Sequence, residues 1–302
     1  MAEIFDRFLI RILLVGFVCL MIWLYRYAHL IFYPRVKKQI IYKFDPSENP
    51  ADTLHLYSRL IGIGIIFSSL TFNESSGLTL SLFHFVVWGG LSIVLYLASI
   101  YLIESIVFYN FDYSDEILKR QNMSYGIISF CHSIIIAYLT KTVILESEDS
   151  IIILLVLWLY MLVIFGLSIK YYTFISKLSF NRLLINKNLS LSFSYGGFAL
   201  GSGIIISSSF DQDHYDIVVY CIQVLLKTIL ALIIFPLFKK ALVLIFPTTF
   251  ETSGKNHKPE HFDSKSQSIG YGIYEGCIFI AGAILTTMII NRIQFGTIYP
   301  FF

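Results

Sequence analysis

The sequence predicts an all-α protein: a polytopic membrane helical bundle of eight transmembrane helices, arranged as four parallel helical-hairpin repeats. Three observations predict it. First, 56% of the residues are hydrophobic and only 14% charged, whereas a soluble domain keeps roughly a quarter of its residues charged to hold its surface in water. Second, the apolar residues fall into eight long runs. Third, Lys and Arg gather in every second connection between those runs. Lipid demands no charge of the surface it covers, so this composition suits a bilayer and excludes a water-facing globule.

The runs lie at about 10–33, 54–72, 79–108, 123–144, 151–175, 189–209, 216–246 and 269–290. The first, Ile12 to Tyr33, is too long for the apolar core of a signal peptide and no small-residue cleavage site follows it, so it reads as a retained span. The second run of each pair has about 20 residues, enough to cross a ~30 Å hydrocarbon layer as a helix. The first runs are longer, some about 30 residues or ~45 Å, and should tilt or project beyond the lipid. Ile, Val and Phe favour strands in water, but in lipid every backbone amide needs an internal partner, which forces helices. The chain thus forms a single integral membrane domain over 1–302, with repeats at about 10–72, 79–144, 151–209 and 216–290.

The connections sort by charge. The links 34–53, 109–122, 176–189 and 239–268 together hold fourteen Lys and Arg, and the connections 72–78, 145–150 and 210–216 hold none. By the positive-inside rule the four basic links face the cytoplasm and both chain ends lie outside, against which only Arg7, Arg11 and Arg292 stand. Every hairpin then starts and ends outside, so the repeats are parallel about an axis along the membrane normal.

Within the repeats, the second helices share a polar start and a phase of small residues. Placing Asn49 on Asn188 also places Gly62 on Gly201 and Gly64 on Gly203. Asn122 opens the second copy and Gln267 the fourth, the latter aligned through Tyr274 on Tyr195 and Gly276 on Gly197. Asn49, Asn122, Asn188 and Gln267 would cap their helices at the cytoplasmic mouth, with ligand contact the alternative. Gly197 and Gly201 share a face, as do Gly272 and Gly276, and let backbones approach closely. The second helices should therefore be the inner ones and the bulkier first helices the outer ring.

Two segments, DYSDEILKRQNMSYGIISFCHSIIIAYL from Asp112 and FNRLLINKNLSLSFSYGGFALGSGIIISS from Phe180, resemble the bacterial inner-membrane family known as domain of unknown function 350, the YjfL-like proteins. Family members are often about half this size, so the chain resembles a doubled version. The resemblance implies the bacterial inner membrane and a multi-pass helical fold, and brings no catalytic residue with it.

Polar residues inside the apolar runs point most directly to function, because a charge at mid-helix costs about 2.5–3.5 kcal/mol on insertion scales. Arg59 and His132 fall at one level of the repeat, and Glu275 falls two residues before it. Together they suggest one shared polar site, with Arg59 paired to Glu275 and His132 free to carry a proton. The alternatives are a structural ion pair, or Arg59 snorkelling to the headgroups. Lys227 would pair with Glu104 or Glu275, and Glu104 sits near enough to the third span's end to reach water. No metal-ligand set, nucleotide loop or nucleophile motif appears, so no enzyme activity, cofactor or nucleic-acid partner is expected. Cys19, Cys131, Cys221 and Cys277 stand singly. The lipid bilayer is the one partner implied; partner proteins and oligomeric state stay open. The expected function is a channel or carrier for a small ion or solute, and the alternative is a non-transporting membrane scaffold or sensor that binds a partner at its basic loops.

Overall fold

The computed structural model describes residues 2–32, 46–70, 77–147, 150–176, 179–212, 216–247 and 268–293, and every regular element among them is helical. Eight long helices follow one another: α1 Ala2–Phe32, α2 Pro50–Phe67, α3 Leu78–Val107, α4 Met123–Glu146, α5 Ile151–Lys170, α6 Leu189–Phe210, α7 Ile217–Ile245 and α8 Ile269–Ile290. A π-helical turn, Ser114–Lys119, precedes α4; short helical turns at Tyr172–Ile175 and Phe180–Ile185 precede α6. Seven of the eight are long and apolar enough to cross a membrane, and α2 is the exception. Its 18 residues rise ~27 Å, and Asp52, His55 and Arg59 share one face of it. All three are buried inside the bundle, so α2 is a full member of the bundle with a polar inward side.

The helices α2, α4, α6 and α8 stand in one row, each packed on the next, and all run the same way. Near their N-termini, Gly126 of α4 meets Ala51 of α2, Ser124 of α4 donates to the Asn188 carbonyl at the head of α6, and Gly272 of α8 meets Ser190 of α6. At the far ends Lys141 donates to Ser68, Thr142 shares a hydrogen bond with Ser207, and Ser208 donates to Asn291. Small residues set the spacing. A Cβ added at Gly197 would lie 2.4 Å from the Gly276 Cα, and one at Gly272 would lie 2.2 Å from the Ser190 carbonyl oxygen. Close backbone approach of this kind supplies the van der Waals contact that holds helices together where lipid gives no hydrophobic drive.

The remaining helices cover the row. α3 lies on α4, α5 on α4 and α6, α7 on α8 and α6, and α1 on α3. α3, α5 and α7 run against the row: Tyr96 and Glu104 of α3 meet Ser133 and Ser129 of α4, and Phe235 and Lys239 of α7 meet Gly282 and Glu275 of α8. Their outward side chains, among them Leu159, Val163, Ile233 and Leu237, are exposed and suit lipid. α4 and α6 are the inner helices the sequence predicts, but α8 is less buried than α3, 44% against 56% of their membrane-length segments, because α8 ends the row.

The helix starts carry their expected caps in three copies. The side chains of Asn49, Asn122 and Asn188 accept from backbone amides in the first turns of α2, α4 and α6, satisfying donors that a helix leaves unpaired. In the fourth copy Ser268 caps α8, and Gln267 lies outside the described residues. This moves the last register by one. Gly272 meets Ser190 as Gly126 meets Ala51, so Glu275 takes the place that Ser129 holds in α4.

Candidate functional site

Among the described residues, two buried ion pairs sit at the capped end of the bundle, one among α1–α4 and one among α5–α8. In the first, Arg59 Nη2 lies 3.3 Å from Glu104 Oε2, with the two side chains 0% and 6% exposed. The Ser129 hydroxyl donates to Glu104 Oε1 at 2.5 Å and lies 2.8 Å from His55 Nδ1. Beside it the Tyr113 hydroxyl donates to Asp52 Oδ1 at 2.6 Å, and the Tyr113 ring rests against the His55 ring.

In the second pair, Lys239 Nζ donates to Glu275 Oε1 at 2.7 Å, with side chains 15% and 5% exposed. Glu275 Oε2 accepts from Ser194 at 2.6 Å and from Ser176 at 3.3 Å. Ser194 is bonded in turn to the Tyr172 hydroxyl. The Lys239 ammonium also donates to the Ile175 carbonyl at 3.1 Å and stands 4.3 Å from the centre of the Phe279 ring. Its charge is therefore met by a carboxylate, a carbonyl dipole and an aromatic face. Burying a lone charge is prohibitive, and pairing with added hydrogen bonds is what makes burial tolerable.

The two pairs occupy matching places. His55 on α2 corresponds to Ser194 on α6, and Ser129 on α4 to Glu275 on α8; each couple is hydrogen-bonded, at 2.8 and 2.6 Å. The charges nevertheless come from different helices. Arg59 stands on α2 and Glu104 on α3, whereas Lys239 stands on α7 and Glu275 on α8.

The expected Arg59–Glu275 pair does not form, and the single shared site resolves into two. The reason is the order of the row, which places α2 and α8 at opposite ends with α4 and α6 between them. Arg59 does not snorkel, and Glu104, 5% exposed, is paired within the bundle. His132 joins neither pair. It is fully buried in the seam between α4 and α6, with Nε2 3.2 Å from the Tyr195 hydroxyl and Nδ1 without a hydrogen-bond partner. Lys227 is buried in α7 and forms an ion pair with neither Glu104 nor Glu275. Residues that the sequence reading missed complete the second site: Lys239, assigned to a basic link, and Ser176, Ser194 and Tyr172. The unbroken apolar run on both sides of Lys239 and Lys240 was the available signal for the lysine. The serines carry none, since serine is ordinary in packed membrane helices.

The helix-start asparagines cap their helices. The Asn122 amide donates to Glu116 Oε2 at 2.7 Å and to the Leu184 carbonyl at 3.0 Å while its oxygen caps α4. Gln121 and Lys187, each directly before a capping asparagine, adopt positive φ angles of 48° and 54°, which turn the chain from a short helical turn into the next long helix. An apolar groove of about 330 Å³, lined by residues including Leu54, Phe130, Cys131, Phe193 and Cys277, crosses the row. None of the paired charges lines it.

Seven membrane-length helices around paired internal charges define a multi-pass helical membrane protein. The chain belongs to the family described as Domain of Unknown Function (DUF350), which matches it twice, over residues 4–144 and 147–290. It is a doubled DUF350 domain, with α1–α4 in the first match and α5–α8 in the second. No curated protein and no solved structure matches the chain.

Proposed function

We propose that this protein is a carrier for a small monovalent cation, with Glu275 as the binding carboxylate and Lys239 as its internal counter-charge. The observation that carries this reading is the oxygen set around the Lys239 ammonium. The Glu275 carboxylate and the Ile175 carbonyl touch it, and the Ser176 and Ser194 hydroxyls hold the carboxylate in place. Hard oxygens of this kind suit a small hard cation, and the lysine occupies the position such an ion would take. A lysine's amine has a neutral form that proteins use, whereas an arginine's guanidinium stays charged. If Lys239 releases a proton as the cation binds, the buried net charge stays at zero, and cation entry is coupled to proton exit. Arg59 cannot act this way, so the Arg59–Glu104 pair serves as the fixed anchor of the first half.

Purified protein reconstituted in liposomes tests this. Cation gradients should drive proton movement reported by an internal pH dye, and Glu275→Gln and Lys239→Arg should each abolish it. Flux retained in Glu275→Gln defeats the proposal.

The second reading is a scaffold or sensor without transport. It draws support from the apolar lining of the groove and from the seam between α4 and α6, where Ser124, His132 and Thr142 bond to their neighbours across it. Of the loop 248–268, the proposed partner site, residues 248–267 lie outside the described residues. Loss of a captured partner on its deletion, with no flux in liposomes, favours this reading. In both readings the protein resides in the bacterial inner membrane, with its basic links in the cytoplasm and its two ends outside.

A further inference from the structure

We propose that copies of this chain associate edge to edge in the membrane, the α8 edge of one copy against the α2 edge of the next. The contact repeats the one that α4 and α6 make within the chain. That internal seam joins the last helix of one DUF350 unit to the second helix of the other. It joins unlike surfaces, and a heterologous contact used once leaves one surface of each kind unused. The unused ones are α8, again the last helix of a unit, and α2, again a second helix.

The register supports the match. In the seam, Gly203 of α6 receives Ile135 of α4: a Cβ added at Gly203 would lie 2.0 Å from Ile135 Cγ1 and 3.5 Å from its Cβ. The counterpart of Gly203 on α2 is Gly64. It is exposed, and a Cβ added there meets nothing within 4 Å. The glycine therefore stands in phase at a place where none of the described residues packs against it. The counterpart of Ile135 on α8 is Ala281, which is exposed in a band with Cys277, Ile284 and Met288.

The covering helices give a second, independent sign. α5 packs on α4 and α6, the two helices of the seam, and reaches α3 of the first unit. Its counterpart α1 packs mainly on α3. The membrane-length window of α5 is 39% buried and that of α1 only 11%, and Phe8, Ile12, Trp23 and Ile31 of α1 are exposed. A neighbouring copy would supply α7 and α8 to α1 just as the first unit supplies α3 and α4 to α5. The other occupant of these edges is lipid.

Disulfide trapping tests the register. With the four native cysteines replaced by alanine, Gly64→Cys on one tagged chain and Ala281→Cys on a differently tagged chain are co-expressed and oxidised in native membranes. The 3.5 Å Cβ separation at the internal seam falls in the range a disulfide needs, so a mixed dimer carrying both tags is expected. Chains carrying both cysteines should give a ladder of multimers, because Gly64 and Ala281 of one chain sit at opposite ends of the row. Absence of the mixed dimer, or dimers joined through Gly64→Cys alone, overturns the proposal. Gly64→Leu provides the second arm. Placed on a Leu60→Cys chain, it should leave the folded chain intact and abolish the mixed dimer that this chain otherwise traps with an Ala281→Cys partner. A mass in lipid nanodiscs of one chain only, for both wild type and Gly64→Leu, counts against association.

Discussion

At the scale of single residues, the buried charges dominate. Arg59 has no exposed side-chain surface and Glu104 is 6% exposed, so removing one partner takes the opposite charge away from the other in a dry interior. Arg59→Leu should destabilise the protein by about 3–5 kcal/mol, the usual cost of breaking a buried pair from one side. The double variant Arg59→Leu with Glu104→Leu should recover most of that loss; detergent-solubilised thermal unfolding of both variants checks it. If the double variant is as unstable as the single, the pair is not the source of the effect. Arg59, Glu104 and Glu275 were legible in the sequence because a charge in an apolar run is conspicuous. Their pairing was not, since spacing along the chain carries no record of which helices become neighbours. Lys239 was hidden differently: two adjacent lysines near the end of a run look like the start of a link, and only the continuation of α7 to Ile245 makes one of them internal.

At the scale of the elements, the turn into α4 does more than cap it. Asn122 closes the first turn of α4 and also ties the π-helical turn and the Leu184 carbonyl to it, whereas the Asn188 side chain only caps α6. Loss of an asparagine cap costs typically about 1 kcal/mol. Asn122→Ala should therefore cost about 2 kcal/mol, with the two further bonds added, and Asn188→Ala about half as much. Hydrogen exchange at Ser124 and Tyr125, compared with exchange at Leu191, separates the two. Apart from the start of α1, which begins at Ala2 ahead of its apolar run, helix boundaries were readable to within about five residues because lipid solvation leaves little choice of structure. The cap of α8 was misplaced by one residue, although its start at Ile269 was read correctly, because Gln267 and Ser268 are both polar and nothing in the run ahead decides which of them closes the helix. The unusual polarity of α2 was visible as Asp52, His55 and Arg59 at helical spacing, and it became intelligible only once all three were found facing inward.

At the scale of the whole molecule, charge alternation foretold that the small-residue helices run in parallel, and the row of α2, α4, α6 and α8 has that sense throughout. The order of the row was beyond the sequence, because four similar helices offer many equivalent pairings. With the basic links inside the cell, cysteines introduced at Ser114 and Asn186 should react with a membrane-impermeant maleimide only in inverted vesicles, and one at Asp216 only in intact cells. Labelling of all three from one side would contradict the orientation.

Joining two units in one polypeptide also frees each to mutate alone. In a complex built from identical short chains, every substitution appears everywhere at once. Here the first unit retains a guanidinium that stays charged at any physiological pH, and the second holds an amine at the matching depth. Division of that kind, a guanidinium in one half and an amine in the other, is open only to a protein whose twin halves are spelled separately.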